Sequence, residues 1–301
     1  MAGSPPESVI LPHTLAETNL LIIGLGLMGG SLALALKPHC RSIVGFDPDP
    51  QACQNAVKLG CVDRSSSSID EILPGAHLII LAAPVMSNLA WLDQLETSFE
   101  QPAAILDLSS TKSLICRRMA ALPEHFYPIG GHPMCGKAFG GIQHASPDLY
   151  KDAVFALVEP RPASHLAAPL ILELVAALRA APLWIEAETH DAWVASTSHL
   201  PYLLANALAF VTPAAAFPLV GPGFRSATRL ATSSLPMMHD ILQSNRNKIL
   251  QAAQEFQEQL TLLTKLLERE DYPQLIYLLQ VGAERQQMLV SSQTNLSQAR
   301  G

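Results

Sequence analysis

"NLLIIGLGLMGGSLALALK", residues 19–37, decides the fold. A short apolar run ends in glycine, and a helical run of leucine and alanine follows, closed by Pro38. Gly24, Gly26 and Gly29 fit G-x-G-x-x-G at the junction. In such a turn the first glycine permits the tight bend. The second lets the backbone approach a pyrophosphate, and the third lets helix and strand pack closely. The helix N-terminus then offers unpaired N–H groups to phosphate. Gly24, Leu25, Gly26, Met28 and Gly29 are therefore expected to form a dinucleotide-binding turn.

Asp47 ends the next apolar run, about 20 residues on, where an acid can accept hydrogen bonds from the adenosine ribose. A 2′-phosphate would be repelled there, and no arginine follows in "FDPDPQA" to receive one. NAD is favoured over NADP. The alternative for Asp47 is a cap or loop acid ahead of "PDPQ". Ala83 and Pro84, closing "AHLIILAAP", are assigned to the same cofactor edge.

Outward from this turn, apolar strands alternate with helices. "SIVGFD", "AHLIILAAP" and "AAILDLSS" read as strands, and "QACQNAVKLG", "VMSNLAWLDQLETSF" and "KSLICRRMAAL" as helices. "AVFALVEP" and "PLWIEA" are expected strands around the helix "LAAPLILELVAALRA". Continuous apolar strands between helices mean a mostly parallel sheet covered on both faces. After about residue 188 only helical patterns remain. Ile249, Ala253, Phe256, Leu260, Leu263 and Leu267 form one stripe in steps of four and three. The expected class is α/β: a loose tail over 1–18, a Rossmann-type dinucleotide-binding domain over 19–187, and an all-α domain over 188–301. The helical domain is expected to bind substrate and to make a homodimer.

The chain has 301 residues, 49% of them hydrophobic, and a net charge of −7. That balance argues against nucleic acid as the main partner. Cys40, Cys53, Cys61, Cys116 and Cys135 show neither Cys-x-x-Cys nor metal spacing, so no metal is expected. Scattered thiols fit a reducing, cytoplasmic setting. The opening residues lack the pattern of a signal peptide. No apolar run is expected to reach the roughly 18 residues of a membrane span.

Three segments suggest chemistry. "LDLSSTKS" places Ser109, Ser110 and Lys112 at the carboxyl edge of the sheet. "YPIGGHPMCGKAFGG" sets His132 between glycine pairs, with proline next to it. There the backbone could pass close to a ligand without Cβ clashes, and proline would limit the loop's freedom. "GPGFRSATRLATSSLPMMHDILQSN" holds Arg225 and Arg229 in the second domain. An arginine from the second domain facing a histidine and a serine from the first would define a cleft holding a hydride acceptor, a proton acceptor and a carboxylate clamp.

With "SHLPYLLANAL", these blocks resemble the prephenate/arogenate dehydrogenase family of tyrosine biosynthesis. The resemblance implies oxidative decarboxylation of a cyclohexadienyl substrate to a phenol, with hydride passing to a nicotinamide. It implies that His132 takes the ring hydroxyl's proton, that Ser110 orients the histidine and that hydroxyl, and that Arg229 binds a carboxylate. His199 is implied in the cleft. Lys112, read from its place beside the serines, is expected to be either a substrate contact or a loop-stabilising cation. Two positions depart from the family pattern. Lys137 and Ala138 stand where relatives carry a small hydroxyl residue and an acid, and Tyr202 stands where prephenate enzymes often carry histidine. Prephenate and arogenate both remain open as substrates. Two other readings also stay open: a two-domain NAD(P) dehydrogenase for a hydroxy acid or imine, and a non-catalytic dinucleotide sensor. Cys135 is expected to be a bystander thiol.

Overall fold

A computed structural model describes residues 11–137 and 139–298, without the side chains of 292–298. Ala138 and residues 1–10 lie outside the described residues. Part of the stretch expected to be a loose tail over 1–18 is folded onto the domain. Leu15–Glu17 forms a 3-10 turn, Leu15 is buried, and its N–H donates to Glu173.

The chain runs β1 (Asn19–Ile23), α1 (Leu27–Leu36), β2 (Ser42–Phe46), α2 (Pro50–Lys58), β3 (Arg64–Ser66), β4 (Leu78–Leu81) and α3 (Val85–Ser98). Next come β5 (Ala103–Asp107), α4 (Ser113–Ala120), β6 (Phe126–Pro133), β7 (Val154–Val158), α5 (Ala168–Ala177) and β8 (Ala181–Trp184). The strands form one sheet in the order β3-β2-β1-β4-β5-β6-β7-β8. All neighbours pair in parallel except β6 and β7. The order reverses between β1 and β4, and such a switch point opens a crevice at the strands' carboxyl ends.

Residue alternation explains why the sheet is covered on both faces. Leu20, Ile22, Leu78, Ile80, Ala104 and Leu106 point into one buried cluster, with α1 and α5. Leu21, Ile23, Ile79, Leu81, Ala103 and Ile105 point into the other, with α3 and α4. Period-two side-chain alternation with apolar residues at every position leaves no wet face.

Two strands depart from the sequence reading. β3 is three polar or charged residues, held by pairing with β2. β6 carries His132, which was expected on a glycine loop. His132 pairs with Ala156 across the antiparallel β6–β7 ladder. The strand gets its order from neighbours on both sides, although Gly-Gly-His-Pro has little strand propensity of its own.

From α6 (Ala187–Val194) onward the described chain is helical. A π turn, Ala195–His199, joins α6 to α7 (Leu200–Val211). Then follow α8 (Pro222–Thr228), α9 (Leu235–Ser244), α10 (Arg246–Glu268) and α11 (Tyr272–Gln298). By length and composition the stretch Ala187–Val211 is apolar enough to cross a membrane. However, His190, Asp191 and His199 within it are buried and hydrogen-bonded inside the protein. The α10 stripe divides: Ile249 is buried, whereas Phe256, Leu260 and Leu267 are exposed. Tyr272, Ile276 and Leu279 of α11 are exposed as well.

Hydrogen bonds join the domains. Asp191 accepts from the N–H groups of Lys112 and Ser113. Thr111 and Ser244 pair their hydroxyls at 2.8 Å. The N–H of Met86, in the first turn of α3, donates to Asp240. Ser113 also donates to the carbonyl of Ala187.

Candidate active site

The glycine turn is built as its spacing requires. Gly24 has φ +101°, and a Cβ there would lie 2.8 Å from the Ala82 carbonyl carbon. A Cβ on Gly29 would fall 1.9 Å from the Gly24 oxygen. A Cβ on Gly26 would meet nothing within 4 Å. The outer two glycines are demanded by the chain itself, while the space over Gly26 is free for a ligand backbone. That arrangement fits a dinucleotide pyrophosphate. Tyr150, fully buried, supports the first helical turn by donating to the Met28 carbonyl at 2.8 Å.

Asp47 stands at the carboxyl end of β2 and is partly buried. One carboxylate oxygen accepts from Leu25 N at 2.8 Å and the other from Asp49 N at 2.9 Å. It therefore braces the turn as well as facing the cofactor edge. Capping α2 falls to Asp49 instead. The Leu25 side chain is fully buried beneath Gly45, so its part in the turn is played by its backbone. Met28 and Ala83 are partly exposed, and Pro84 is exposed at the start of α3. The Asn88 amide ties the Ala83 backbone to Ser109, donating to the serine hydroxyl at 2.9 Å.

His132 reaches the same edge of the sheet. β6 runs parallel to β5, with Gly130 opposite Asp107, so His132 lies just past the carboxyl end of β5. The two preceding glycines have a reason other than ligand approach. A Cβ on Gly130 would lie 2.6 Å from the Cys116 sulfur, and one on Gly131 would lie 2.8 Å from the Asp107 carbonyl oxygen. Gly130 is needed because Cys116 and Lys112 fill the space beside it, and Gly131 because the Asp107 carbonyl and the Phe155 ring do. Gly136 and Gly140 meet nothing within 4 Å.

Lys112 was expected either to touch substrate or to stabilise its loop, and the structure places its ammonium in the second role. The side chain is fully buried, ion-paired with Asp107, and donates to the Gly131 carbonyl at 2.6 Å. It holds the strand that carries His132. Ser109 is buried and donates to Asp107 at 2.6 Å. Ser110, next to it, is partly buried, and its hydroxyl has no hydrogen-bond partner among the described residues. It is not brought to hydrogen-bonding distance of His132. Nor does it cap α4, because the first N–H groups there are taken by Asp191 at 2.7 and 2.8 Å. A carboxylate at a helix N-terminus is favoured by the dipole.

Two residues absent from the sequence reading complete the cluster. His132 Nδ1 lies 2.9 Å from His190 Nε2, and His190 Nδ1 lies 2.9 Å from Asp191 Oδ1. His190 and Asp191 are buried, while His132 is partly accessible. Burial alone would raise the Asp191 carboxyl, but the bonds from His190, Ser113 and Lys112 outweigh it and hold it below the usual range. Burial, then the neighbouring His190, Lys112 and His199, holds His132 well below its ordinary value, against the pull of Asp191. The ring is therefore neutral at neutral pH.

His199 joins the cluster through Asn245. That amide nitrogen donates to the Asp191 carbonyl at 2.8 Å and lies 3.2 Å from His199 Nδ1. Nine residues separate His190 from His199. At about 3.6 residues per turn they would face opposite sides of an unbroken α-helix. The intervening π turn turns His199 back toward the shared partner, as π turns at functional positions often do. Burial pushes His199 down to about 4.

Arg229 begins the 3-10 segment Arg229–Thr232 and is exposed. Its guanidinium has no hydrogen bond or ion pair among the described residues, so it does not serve to bridge acids of its own chain. Leu230, beside it, packs on Tyr202, one turn beyond His199. Arg225 is also exposed. Lys137 folds back onto the His144 carbonyl at 2.8 Å. Burial raises the Cys135 thiol to about 11, so it is no thiolate at neutral pH. Among the described residues no cluster suits a metal ion.

Fold and site together place the chain among the two-domain dehydrogenases with a Rossmann-type nucleotide domain. A sequence model described as prephenate dehydrogenase, nucleotide-binding domain, matches residues 32–181, and one described as prephenate dehydrogenase, dimerization domain, matches residues 186–281. The prephenate dehydrogenase of Bacillus subtilis (strain 168) is 32% identical over 265 residues, 85% of this chain and 71% of that protein. The crystal structure of prephenate dehydrogenase from A. aeolicus in complex with hydroxyphenyl propionate and NAD+ gives a TM-score of 0.83 at 27% identity. It covers 91% of this chain and 99% of that one. Synechocystis arogenate dehydrogenase gives 0.76 at 26% identity, over 90% of this chain and 99% of that one. The chain belongs to the prephenate dehydrogenase family, and it is an oxidoreductase.

Proposed function

We propose that this protein catalyses the NAD-dependent oxidative decarboxylation of prephenate, arogenate or both, giving 4-hydroxyphenylpyruvate or tyrosine. One observation carries the reading. His132, from the sheet, meets His190, Asp191 and His199, from the helical domain, at the sheet edge that also carries the glycine turn. A bound nicotinamide supplies the hydride acceptor.

The rest is the work of the chain's own side chains. His132 takes the proton of the ring hydroxyl as that oxygen becomes a carbonyl. As hydride departs, the ring carboxylate leaves as CO₂; the electron pair of the broken carbon–carbon bond passes through the ring to the carbonyl oxygen, giving an aromatic phenolate that takes the proton back from His132 to end as the phenol. Aromatisation and loss of CO₂ supply most of the driving force, so the protein chiefly positions and polarises. Arg229, unpaired within the chain, binds a substrate carboxylate. Ser110, with an uncommitted hydroxyl, orients the ring hydroxyl, and His199 lines the helical side of the cleft. Asp47 accepts from the adenosine ribose and disfavours a 2′-phosphate.

The exposed apolar faces of α10 and α11 are covered by a second copy, making a homodimer. The five unpaired cysteines fit the cytoplasm. The test is NADH formation from each substrate, with His132→Asn as control. Turnover of neither substrate by the wild type would end the reading.

A further inference from the structure

The geometry points to His190 as the residue that sets the tautomer of His132, with Asp191 fixing His190 in turn. The assignment rests on reading His132 as the base, and it follows from counting donors outward from α4. The backbone N–H groups of Lys112 and Ser113 can only donate, and they donate to the two oxygens of Asp191 at 2.7 and 2.8 Å. The carboxylate is buried, and all the hydrogen-bond partners around it are donors. It therefore accepts at 2.9 Å from His190 Nδ1, which must carry the proton.

A neutral His190 then has a bare Nε2. Its neighbour at 2.9 Å is His132 Nδ1, so that nitrogen must be the donor. The proton of His132 sits on Nδ1, and Nε2 keeps its lone pair. Without this chain of bonds His132 could hold its proton on either nitrogen, and the Nε2–H form cannot take a proton there. The logic is that of a carboxylate orienting a catalytic imidazole, with a second imidazole inserted between them. The α4 N-terminus is the fixed end. His190 touches neither reacting atom and is a positioning residue.

Two readouts test this on the full-length protein. The first is the ¹⁵N spectrum of the histidine rings at neutral pH, with no ligand added, His132 being assigned by its loss in His132→Asn. We expect His132 Nδ1 to be protonated and Nε2 to be bare. A protonated Nε2 on His132, as a cationic His190 would enforce, overturns the proposal. The second is a pair of variants. His190→Gln places an amide oxygen near the former Nε2, where it can still accept from His132. His190→Ala removes the acceptor.

The Ala variant should show a mixture of His132 tautomers and lose about 10- to 100-fold in kcat with little change in KM. The Gln variant should keep the wild-type tautomer and recover most of that loss. If Ala fails to fold, Gln decides alone: a wild-type tautomer supports the relay, and a mixed one overturns it. Equal kcat in wild type and a folded Ala variant also overturns it. Failure here is distinct from failure of the proposed reaction. The ring spectrum needs no substrate, whereas the reaction reading falls with an unimpaired His132→Asn.

Discussion

Lys112 Nζ donates to the carbonyl of Gly131 at 2.6 Å, one residue ahead of His132, while paired with Asp107. Neither member of the pair has any exposed surface. The ammonium thus ties the ends of two neighbouring strands together under the base.

Lys112→Met should therefore act on stability first. It leaves Asp107 buried without its cation, and breaking such a pair costs about 3–5 kcal/mol. Urea denaturation should show that loss. A variant of wild-type stability with only a raised substrate KM would return Lys112 to the role of substrate contact.

Glycines at the two ends of the site should respond oppositely to alanine. Gly131→Ala puts a Cβ 2.8 Å from Asp107 O and from the Phe155 ring, an overpacking that costs about 1–3 kcal/mol and shifts His132. Gly26→Ala meets no chain atom within 4 Å. Its stability should stay within about 0.5 kcal/mol of wild type. Fluorescence titration should instead show weakened NADH binding. Unchanged affinity would remove Gly26 from the pyrophosphate site.

Asp47→Asn keeps an oxygen for Leu25 N but removes the charge. The ratio of kcat/KM with NAD to that with NADP should fall. A constant ratio would mean that Asp47 only braces the turn.

Much of this architecture is legible in the chain. The glycine turn announces itself because each of its three glycines answers a separate steric demand. The flanking strands announce themselves because they are apolar at every position. β6 does not, since Gly130, Gly131, His132 and Pro133 have little intrinsic strand preference and take their form from β5 and β7. His190 and Asp191 were hidden for a different reason. They lie 58 and 59 residues from His132, and only the packing of α6 on α4 makes them neighbours. An adjacent His-Asp pair on the buried side of an amphipathic helix was the one available signal. The glycines before His132 were attributed to a ligand because a sequence does not show Cys116 and Lys112 filling the space beside Gly130, or the Asp107 carbonyl and Phe155 filling that beside Gly131.

The histidines also set a pH response. His132 is held low by burial and then by His190, Lys112 and His199, and His199 is held at about 4 by burial. A histidine whose value is lower folded than unfolded binds its proton more readily in the unfolded chain. Stability is therefore full above about pH 6.5 and is lost as pH falls toward 4, His199 contributing on the order of 3 kcal/mol. The denaturation midpoint should drop between about pH 7 and about pH 5, and by less in His199→Asn. The acid limb of kcat/KM should likewise lie below the ordinary histidine range. A midpoint that rises on acidification would contradict the assignment.

The most direct test is NADH formation from prephenate and from arogenate by the wild type and by His132→Asn. The account predicts turnover of at least one substrate by the wild type, and loss of nearly all of it in a variant that still folds and binds NADH. Turnover by His132→Asn at the wild-type rate would contradict it.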